Sequence, residues 1–442
     1  MAAAISSQQN QTPQPAANMV DAPFGLLGRT LGHSWSPRIH ATFGSVPYAL
    51  YEREPDDVAE FLAKGNWRGL NVTIPYKREA AELADEVSGR VERLGVANTL
   101  VKRADGSIFA DNTDVLGFAF MLRRFLRTRV DRNPESLAGR KALVLGSGGA
   151  SQAVQAALED LGFLPVVISR TGDETYATLA ERHADAVLLV NTTPVGMYPH
   201  CPASPIDEAT LEQLEALVGV LDVVYNPERT GICLAAERRG LPAESGLAML
   251  VSQAFYASQI FQDVTLDEAL VAKVEDELRT QTRNVVLIGM PSSGKTSAGR
   301  RLARLCHRPF VDLDVSFAMD HGMTPAECIR SNGEREFRRL ETQTAASYAS
   351  RSGLVIACGG GVVTQPVNYD ILHQNGTVVM LDRPLEELLA SDVGDRPLSQ
   401  SRGVARLAEE RMPLYRSWAD LILPCTGSAA GDAQELKELL RL

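Results

Sequence analysis

Residues 285–296 read Val-Val-Leu-Ile-Gly-Met-Pro-Ser-Ser-Gly-Lys-Thr, and this stretch decides the fold of the second half of the chain. Its leading apolar residues predict a buried strand. The rest follows G-x-x-x-x-G-K-[ST], a loop whose backbone N–H groups cradle phosphate, whose lysine reaches the β- and γ-phosphates and whose threonine holds Mg²⁺. The stretch therefore predicts a P-loop α/β domain that binds the phosphates of a nucleotide and Mg²⁺. The predicted nucleotide-binding positions are Gly289, Ser293, Gly294, Lys295 and Thr296.

Length and composition limit the possible classes of protein. A chain of 442 residues is expected to form two or three domains. The net charge of −11, without a basic stripe, argues against nucleic acid as the main partner. Six cysteines without a C-x-x-C pair suit a reducing cytosol and argue against a zinc site. No apolar run reaches membrane-spanning length, and residues 1–19 carry no positive charge, so we expect a cytoplasmic protein with a disordered N-terminal tail.

A second glycine-rich loop follows a buried strand in the first half of the chain. Residues 142–145 are apolar, 146–151 read Gly-Ser-Gly-Gly-Ala-Ser, and a helical segment follows, which together begin a dinucleotide-binding fold. An acid after the next strand, 166–168, would favour NAD, whereas Arg170 beside a hydroxyl suits the 2′-phosphate of NADP. The predicted NADP-binding positions are Gly146, Gly148, Gly149, Ala150, Ser169, Arg170 and Thr171.

Several polar segments before this loop could bind a ligand or could be purely structural. Ser34 and Ser36 could hold a carboxylate or hydroxyls, or Ser36 could simply cap a helix. A predicted strand ends at Pro75, and Lys77 just beyond it could be catalytic or solvated. Two Asn-Thr pairs flank a predicted hairpin, where they could bind substrate or form Asx turns; they lie at 98–99 and 112–113.

In their order along the chain these motifs resemble the shikimate dehydrogenase family over about residues 24–262. The resemblance implies an α/β substrate lobe and a Rossmann NADP lobe with the active site between them. It also implies NADPH-dependent reduction of 3-dehydroshikimate to shikimate. The matching segments are Ser34-x-Ser36-Pro37, Asn71-Val72-Thr73-x-Pro75-x-Lys77, Asn98-Thr99, Asn112-Thr113-Asp114, the Gly146 loop, Asn191-x-Thr193-Pro194-x-Gly196-Met197 and Gly246-Leu247-x-Met249-Leu250-Val251-x-Gln253.

The same resemblance implies roles for individual residues. Lys77 and Asp114 would be the catalytic pair, because an ammonium can stabilise and protonate the oxygen that becomes negative when hydride reaches a carbonyl carbon. Ser169 stands where the family usually has an asparagine beside Arg170, so one hydrogen bond near the ribose is missing. The residues implied to hold the substrate carboxylate and hydroxyls are Ser34, Ser36, Thr73, Asn98 and Gln253.

The sequence after the P-loop places further polar groups at the ends of predicted elements. A predicted strand over 310–314 carries Asp312 and Asp314 on one face, because strand side chains repeat every two residues. These two acids could serve Mg²⁺ and a substrate hydroxyl, or could be solvated. Residues 333–341 predict a helix that could have a charged solvent face, and 359–361 are glycines after a strand, where a ligand can approach the backbone.

These segments resemble the shikimate kinase family over essentially all of 284–442. The resemblance implies that Asp314 is the candidate base and that Arg396 belongs to a lid over 391–400, which lacks an arginine that many members carry. Arginine suits the substrate carboxylate because its fork binds both oxygens. The implied ATP–Mg²⁺ residues are Lys295, Thr296 and Asp312, with Thr296 and Asp312 at the metal. The implied shikimate site consists of Asp314, Arg338, Gly360 and Arg411.

The patterns together predict a two-lobed α/β dehydrogenase followed by a P-loop α/β kinase domain. The two resemblances together imply reduction of 3-dehydroshikimate to shikimate and ATP-dependent phosphorylation of shikimate to shikimate 3-phosphate. We expect small-molecule substrates, no nucleic acid or membrane partner, and a length compatible with a monomer. The expected boundaries are a tail over 1–20, a substrate lobe over 21–118 and 246–271, a Rossmann lobe over 119–245, a linker over 272–283 and the kinase over 284–442.

Two alternative functions stay open at this point. Quinate oxidation by the first half would depend on the pocket around Ser34, Ser36 and Thr73. A catalytically dead sensor of the same fold would have lost its charged catalytic groups, but these are all present, as Lys77, Asp114, Lys295, Asp312 and Asp314. Direct passage of shikimate between the two sites is a hypothesis that rests on the fusion alone.

Overall fold

The computed structural model of the protein describes residues 22–32, 34–390 and 403–442. The chain divides into two compact units, one from the residues up to Phe118 with Val251–Val271, the other from Ala119–Leu250 with Ala272–Leu442. The predicted tail over 1–20 and the predicted lid with Arg396 lie outside the described residues. Within the described ranges, no helix is long and apolar enough to cross a membrane.

The first unit is built on a six-stranded mixed sheet. Its strands are β1 (Phe24–Gly28), β2 (Tyr48–Glu52), β3 (Gly69–Val72), β4 (Glu86–Val87), β5 (Thr99–Lys102) and β6 (Ile108–Asp111). They lie in the order β2-β1-β3-β5-β6-β4, with β5 antiparallel to both of its neighbours. Leu27, Leu70 and Leu100 are fully buried in the core on this sheet. The predicted strand end at Pro75 is wrong, because β3 ends at Val72 and a turn follows it.

Helices connect the strands of this unit. A short helix begins at Lys77 itself, so the lysine opens a helix instead of following a strand. Asp114 lies in the first turn of the helix that follows β6. The helices are Ser36–Thr42, Pro55–Lys64, Lys77–Glu82, Gly89–Leu94 and the start of Thr113–Phe125, with most of Leu247–Gln262 returning to this unit.

The second unit begins with a parallel five-stranded sheet of the doubly wound type. Its strands are β7 (Lys141–Leu145), β8 (Leu164–Ile168), β9 (Leu188–Asn191), β10 (Gly219–Asp222) and β11 (Ala243–Glu244), in the order β11-β10-β9-β7-β8. The chain moves to one side of β7 and then to the other, so the carboxyl end of β7 is the crevice where such sheets bind ligands. Strand β10 ends at Asp222, and residues 223–230 form a loop. The helices are Gly149–Asp160, Leu179–His183, Glu208–Gln213 and Gly231–Arg238, with a π-turn at Leu126–Val130 and a 3₁₀ turn at Pro134–Leu137.

The predicted linker over 272–283 is helical for most of its length, within the helix Ala269–Thr282. Val271, Val274 and Leu278 recur at helical spacing and are almost fully buried. Glu275 is 1% exposed and forms an ion pair with Arg124 at 2.6 Å. The three aliphatic residues therefore bury one face of this helix against the protein, although most other residues of the segment are charged or polar.

A second parallel five-stranded sheet follows this helix. Its strands are β12 (Asn284–Ile288), β13 (Phe310–Asp312), β14 (Val355–Ala357), β15 (Gly376–Asp382) and β16 (Leu421–Pro424), in the order β13-β14-β12-β15-β16. The central strand β12 is fully buried at Val286, Leu287 and Ile288, as its apolar run predicts. The helices are Lys295–Leu305, Leu313–His321, Pro325–Ala349, Val367–His373, Leu385–Leu389, Val404–Trp418 and Ala429–Leu439, with a 3₁₀ turn at Val362–Thr364.

Two sequence predictions in this sheet region need correction. The strand predicted over 310–314 ends at Asp312, which caps the helix that begins at Leu313, so Asp314 lies on a helix and not on a strand face. The helix predicted over 333–341 is part of Pro325–Ala349, but Gly333 inside it has φ 83° and interrupts the helical backbone. Its charged side chains do not all face solvent, because Arg338 is only 6% exposed.

Candidate active sites

Lys77 and Asp114 are brought together in the first unit, although 37 residues separate them. The Lys77 Nζ donates to Asp114 Oδ2 at 2.6 Å, and the two side chains are 25% and 16% exposed. Each lies at the start of a helix, which fixes its backbone. The result is a half-buried ammonium held by a carboxylate, able to reach solvent or a ligand with its remaining protons.

Asn98 supports the helix that carries Asp114. Its Oδ1 accepts from the Thr113 backbone N–H at 2.7 Å, and Thr99 and Thr113 donate their hydroxyls to the same oxygen. Asn98 is 3% exposed. The Asn-Thr segments therefore form one buried hydrogen-bonding cluster beside the Lys77–Asp114 pair, and Asn112 also forms the expected Asx turn, since its Oδ1 accepts from the Asp114 N–H at 3.2 Å.

Ser34 and Ser36 also lie together, since the Ser34 Oγ donates to Ser36 Oγ at 3.1 Å. Trp35 and not Ser36 is the residue before the helix, and it makes no side-chain cap, so helix capping by Ser36 is wrong. Thr73 lies in the turn after β3, with its N–H donating to Leu27 O. Gln253 lies in the second turn of the helix Leu247–Gln262.

Asn71 is a polar residue of this unit to which the sequence assigned no role. It is 5% exposed, and Tyr48 donates its hydroxyl to Asn71 Oδ1 at 2.9 Å. Burial raises the pKa of Tyr48, so this hydroxyl keeps its proton and remains a donor. His40 stacks on Tyr48, and burial lowers the pKa of His40 to about 3, which leaves its ring neutral. The sequence signal for the Asn71 cluster is the spacing of two residues between Asn71 and Thr73 around the end of β3, which would place both side chains on one side of the strand.

The Gly146 loop is shaped for a close approach to the backbone. Gly146 has φ +101°, and a Cβ there would lie 2.8 Å from Thr193 Cγ2, so only glycine fits. A Cβ on Gly148 or Gly149 would meet nothing within 4 Å, so packing within the protein does not require glycine there. Ala150 follows at the start of the helix Gly149–Asp160, whose N–H groups face this loop. Open space beside a helix N-terminus fits the pyrophosphate of a dinucleotide.

Arg170 lies at the end of β8, where the ribose would be read. It is exposed, as is Thr171, whereas Ser169 is 9% exposed. Among the described residues the Arg170 guanidinium has no ion-pair partner. The nearby Glu174 is engaged by Arg182 at 2.8 Å. An unneutralised arginine at this position fits a 2′-phosphate.

The P-loop has the backbone and side chains that bind phosphate. Gly289 has φ +140° and Gly294 has φ +94°, which are conformations that glycine favours. The Lys295 Nζ donates to the carbonyls of Gly289 and Met290 at 2.9 and 2.8 Å, and the lysine is 8% exposed. Ser293, which is 2% exposed, lies 3.4 Å from the same ammonium.

Thr296 and Asp312 meet at the mouth of this loop. The Thr296 Oγ1 donates to Asp312 Oδ2 at 2.7 Å. A hydroxyl and a carboxylate beside a phosphate loop are the oxygen donors that Mg²⁺ prefers, with phosphate oxygens and water completing its shell. These residues fit an ATP–Mg²⁺ complex.

A cavity of about 680 Å³ extends from the P-loop to the other predicted site residues of this domain. Asp314 and Gly360 line it, as predicted. A Cβ on Gly359 would lie 2.8 Å from both Asp314 Oδ1 and Glu341 Oε1, so these carboxylates converge on one point of the wall. A Cβ on Gly361 would collide with the Arg338 guanidinium at 2.1 Å, which explains why glycine is needed there.

Two buried arginines in the same cavity are well placed for an anionic ligand. Arg338 pairs with Glu341 at 2.6 Å, and Arg411 donates to Gly360 O at 2.9 Å. The Nε atoms of Arg338 and Arg411 are buried, and neither has an acceptor among the described residues. Burial lowers the pKa of Arg411, but a guanidinium starts so high that it stays charged. Tyr415, one turn further along the same helix, donates its hydroxyl to the same Gly360 carbonyl.

Two residues of this cavity were missed by sequence reasoning. Glu341 is 5% exposed and holds Arg338, and its spacing of three residues along one helix could have revealed the pairing. Arg383 follows β15, donates to Ser292 O of the P-loop at 2.9 Å and pairs with Glu387 at 2.8 Å. The local sequence around Arg383 carries no signal for this contact, because the two partners lie 91 residues apart.

Comparisons with known proteins agree with this geometry. Residues 26–100 match the family model of the shikimate dehydrogenase substrate binding domain, and residues 291–441 match that of shikimate kinase. The shikimate dehydrogenase (NADP(+)) of Clostridium beijerinckii is 32% identical over 268 residues, covering 56% of this chain and 94% of that protein. The Roseobacter denitrificans protein of the same name is 36% identical, covering 52% and 88%. The crystal structure of a chorismate mutase/shikimate 5-dehydrogenase fusion protein from Clostridium acetobutylicum is 34% identical, covers 58% and 97%, and gives a TM-score of 0.52.

The fold and the two sites define an enzyme in which a dinucleotide-binding oxidoreductase region is followed by a P-loop kinase domain. The chain belongs to the shikimate dehydrogenase family, and it carries a C-terminal shikimate kinase domain. It is a bifunctional enzyme of the shikimate pathway. Both families and the fold class predicted from the sequence are thereby confirmed.

Proposed function

We propose that the first half of the chain reduces 3-dehydroshikimate to shikimate with NADPH, and that the second half phosphorylates the 3-hydroxyl of shikimate with ATP. The observation that carries the proposal is the kinase cavity. It is lined both by the phosphate loop and by Arg338 and Arg411, so that one cavity holds groups for the phosphates of ATP and for the carboxylate of an alcohol substrate. The product of the first reaction is the substrate of the second.

In the dehydrogenase we assign proton transfer to Lys77. NADPH supplies the hydride when it is bound. As hydride reaches the carbonyl carbon, the oxygen gains negative charge, and the Lys77 ammonium stabilises it and gives up a proton. Asp114 orients that ammonium through the 2.6 Å contact. The residues that we assign to the substrate carboxylate and hydroxyls are Ser34, Ser36, Thr73, Asn98 and Gln253.

In the kinase we assign the phosphates to the P-loop and the metal to two side chains. Lys295 would leave the loop carbonyls for the β- and γ-phosphates, while Thr296 and Asp312 hold Mg²⁺. Asp314 lines the cavity and would accept the proton of the attacking hydroxyl. Arg338, Gly360 and Arg411 would form the binding site for shikimate, with the guanidiniums on its carboxylate.

A coupled assay tests the proposed function directly. The full chain is given 3-dehydroshikimate, NADPH, ATP and Mg²⁺, the nicotinamide absorbance is followed, and shikimate 3-phosphate is detected by mass spectrometry. We expect NADPH loss together with the phosphorylated product. NADPH loss without that product would contradict the kinase assignment, and the absence of both would contradict the proposal as a whole and direct attention to quinate.

The Arg170→Ala variant is expected to raise the KM for NADPH about 10- to 100-fold and to leave the KM for NADH nearly unchanged. A charge-assisted hydrogen bond contributes about 1.5–3 kcal/mol, and each 1.4 kcal/mol is tenfold in affinity. The matched control is Arg140→Ala, which removes an exposed arginine from the same lobe. Equal changes for both nucleotides would show that Arg170 does not read the 2′-phosphate.

We also propose that the enzyme works as a monomer in the cytoplasm. All six cysteines are free thiols, which is the state that a reducing compartment maintains. Light scattering of the eluted full-length chain tests the monomer: a mass near 47.9 kDa is expected, and twice that mass would contradict it.

A further inference from the structure

The loop over 223–230 of the Rossmann lobe is bonded to the kinase domain just before strand β15. The Arg229 backbone N–H donates to Gln374 O at 2.8 Å, and the Glu228 N–H donates to Asn375 Oδ1 at 2.8 Å. The Arg229 guanidinium adds a bond to Gly376 O at 2.8 Å. We call these five residues the joint.

The joint is buried and tied on the kinase side. Gln374 is fully buried and Asn375 is 5% exposed. The Asn375 backbone carbonyl accepts from the N–H of Asn284, the first residue of β12, at 2.7 Å. The side-chain amide of Asn375 donates to Ser350 O at 3.1 Å. Asn375 thus forms hydrogen bonds both to the kinase domain and to the Rossmann loop, so the connection between the two domains is more than a flexible linker.

Ion pairs brace the same contact. Glu228 accepts from Arg283 Nε at 2.8 Å, and Arg279 Nε lies 3.5 Å from its other oxygen. These arginines lower the pKa of Glu228 despite a burial that would raise it, so it remains a carboxylate. Arg238 of the Rossmann lobe also pairs with Asp370 of the kinase domain.

On the Rossmann side, hydrogen bonds continue from the joint to the nucleotide loop. Thr230 donates to Asp222 Oδ2 at 2.7 Å, and Asn191 donates to the same oxygen at 3.0 Å. The Asn191 Oδ1 in turn accepts from Thr193 N at 3.0 Å, and Thr193 closes against Gly146. Asp222, Thr230 and Asn191 are all fully buried.

On the kinase side, the joint stands at the start of the two central strands. Strand β15 pairs with β12 along its length, from Gly376 opposite Asn284 to Met380 opposite Ile288. Where these strands end, the P-loop packs on β15, since a Cβ on Gly289 would lie 2.8 Å from Leu381 O. A contiguous set of buried and partly buried contacts therefore runs from the Gly146 loop to the P-loop, and such networks can carry energetic coupling.

We propose that the joint couples the two nucleotide sites, so that NADP⁺ bound at the Gly146 loop stabilises kinase strand β15, and ATP bound at the P-loop strengthens NADP⁺ binding. The inference rests on the proposed function, which places these nucleotides at these loops. Coupling between binding sites is reciprocal by thermodynamic necessity, so both directions share one factor. Unlike direct passage of shikimate, this coupling needs no bound intermediate.

Hydrogen exchange read by mass spectrometry tests the proposal on the full chain. Saturating NADP⁺ is expected to slow exchange of peptides covering β15 at least about fivefold, the low end of typical coupling factors. Peptides from the helix Pro55–Lys64 serve as an internal reference, because Val58 and Leu62 of that helix pack in the core of the first unit, to which neither the joint nor β15 belongs. Unchanged exchange of β15 while calorimetry shows NADP⁺ bound would overturn the coupling alone. Failure of NADP⁺ to bind would instead overturn the proposed function.

Variants at the joint separate coupling from general stability. Asn375→Ala and Arg229→Ala remove side-chain bonds of the joint and are expected to reduce the effect of NADP⁺ on β15 to less than about twofold. The matched control is Arg239→Ala, because Arg239 also donates to a backbone carbonyl, that of Leu211, but within the Rossmann lobe. The proposal would be overturned if NADP⁺ slowed the hydrogen exchange of β15 as much in the joint variants as in the wild-type protein. Should they fail to fold, the comparison of wild-type protein with and without NADP⁺ still decides it.

Discussion

The Lys77→Met variant is expected to lose dehydrogenase turnover by about 10³-fold, within the range of 10²–10⁴ that general acid–base groups contribute. Methionine keeps the length and the apolar stem of lysine but removes the ammonium. The oxygen of the reduced carbonyl then has no proton donor, and the Asp114 carboxylate is left half-buried without its partner. The measurement is kcat for NADPH oxidation with 3-dehydroshikimate at saturating nucleotide.

The same chain contains the control for this experiment. Kinase turnover of the Lys77→Met protein, measured with shikimate and ATP, is expected to stay within about twofold of wild type, because Lys77 is not among the residues that line the kinase cavity. Lys64→Met is the matched substitution, since Lys64 is an exposed lysine of the same unit that only pairs with Glu60 on the surface. Retention of a tenth or more of wild-type kcat by Lys77→Met would rule out proton transfer by this lysine.

Features that depend on a short run of sequence could be predicted well. The P-loop and the Gly146 loop each need a buried strand, at least one glycine at positive φ and a following helix, and all three signals lie within about 20 residues. The structure has these parts where the sequence indicates them, with β12 before Gly289 and β7 before Gly146. The Lys77–Asp114 pair came from the resemblance, because no local pattern indicates that a residue 37 positions away will be its partner.

Features that depend on tertiary partners could not be read from the sequence. Asp314 was expected on a strand face, but Asp312 accepts from the Asp314 N–H and starts a helix there. In the sequence, Glu341 and Arg338 look like charged residues on the solvent face of a helix. They are buried because the helix packs with Arg338 against Gly361, a contact that the sequence does not indicate. The joint depends on Arg229 and Gly376, which are 147 residues apart, so neither segment predicts the contact alone.

The Lys295→Met variant is expected to lower kinase turnover by about 10³-fold or more, because one fixed charge on a transferring phosphoryl group has effects of 10³–10⁵. The ammonium that now donates to the carbonyls of Gly289 and Met290 is the group nearest the phosphate loop that can follow the γ-phosphate. Methionine fills the same volume without the charge. Loss of the Lys295 charge is therefore expected to lower turnover more than stability. The measurement is kcat for ADP release at saturating shikimate.

A matched lysine distinguishes this role from a general charge effect. Lys437 is the other lysine after residue 282 and lies in the last turn of the helix Ala429–Leu439, so Lys437→Met makes the same chemical change at a residue that does not line the kinase cavity. We expect it to keep kinase turnover within about twofold. Dehydrogenase turnover should survive in both variants and shows that the chain is folded. Comparable losses in the two variants, or near-normal kinase turnover in Lys295→Met, would remove Lys295 from the phosphoryl-transfer step, and the charge on the γ-phosphate would then have to be met by Arg383, the other described cation bonded to the P-loop backbone.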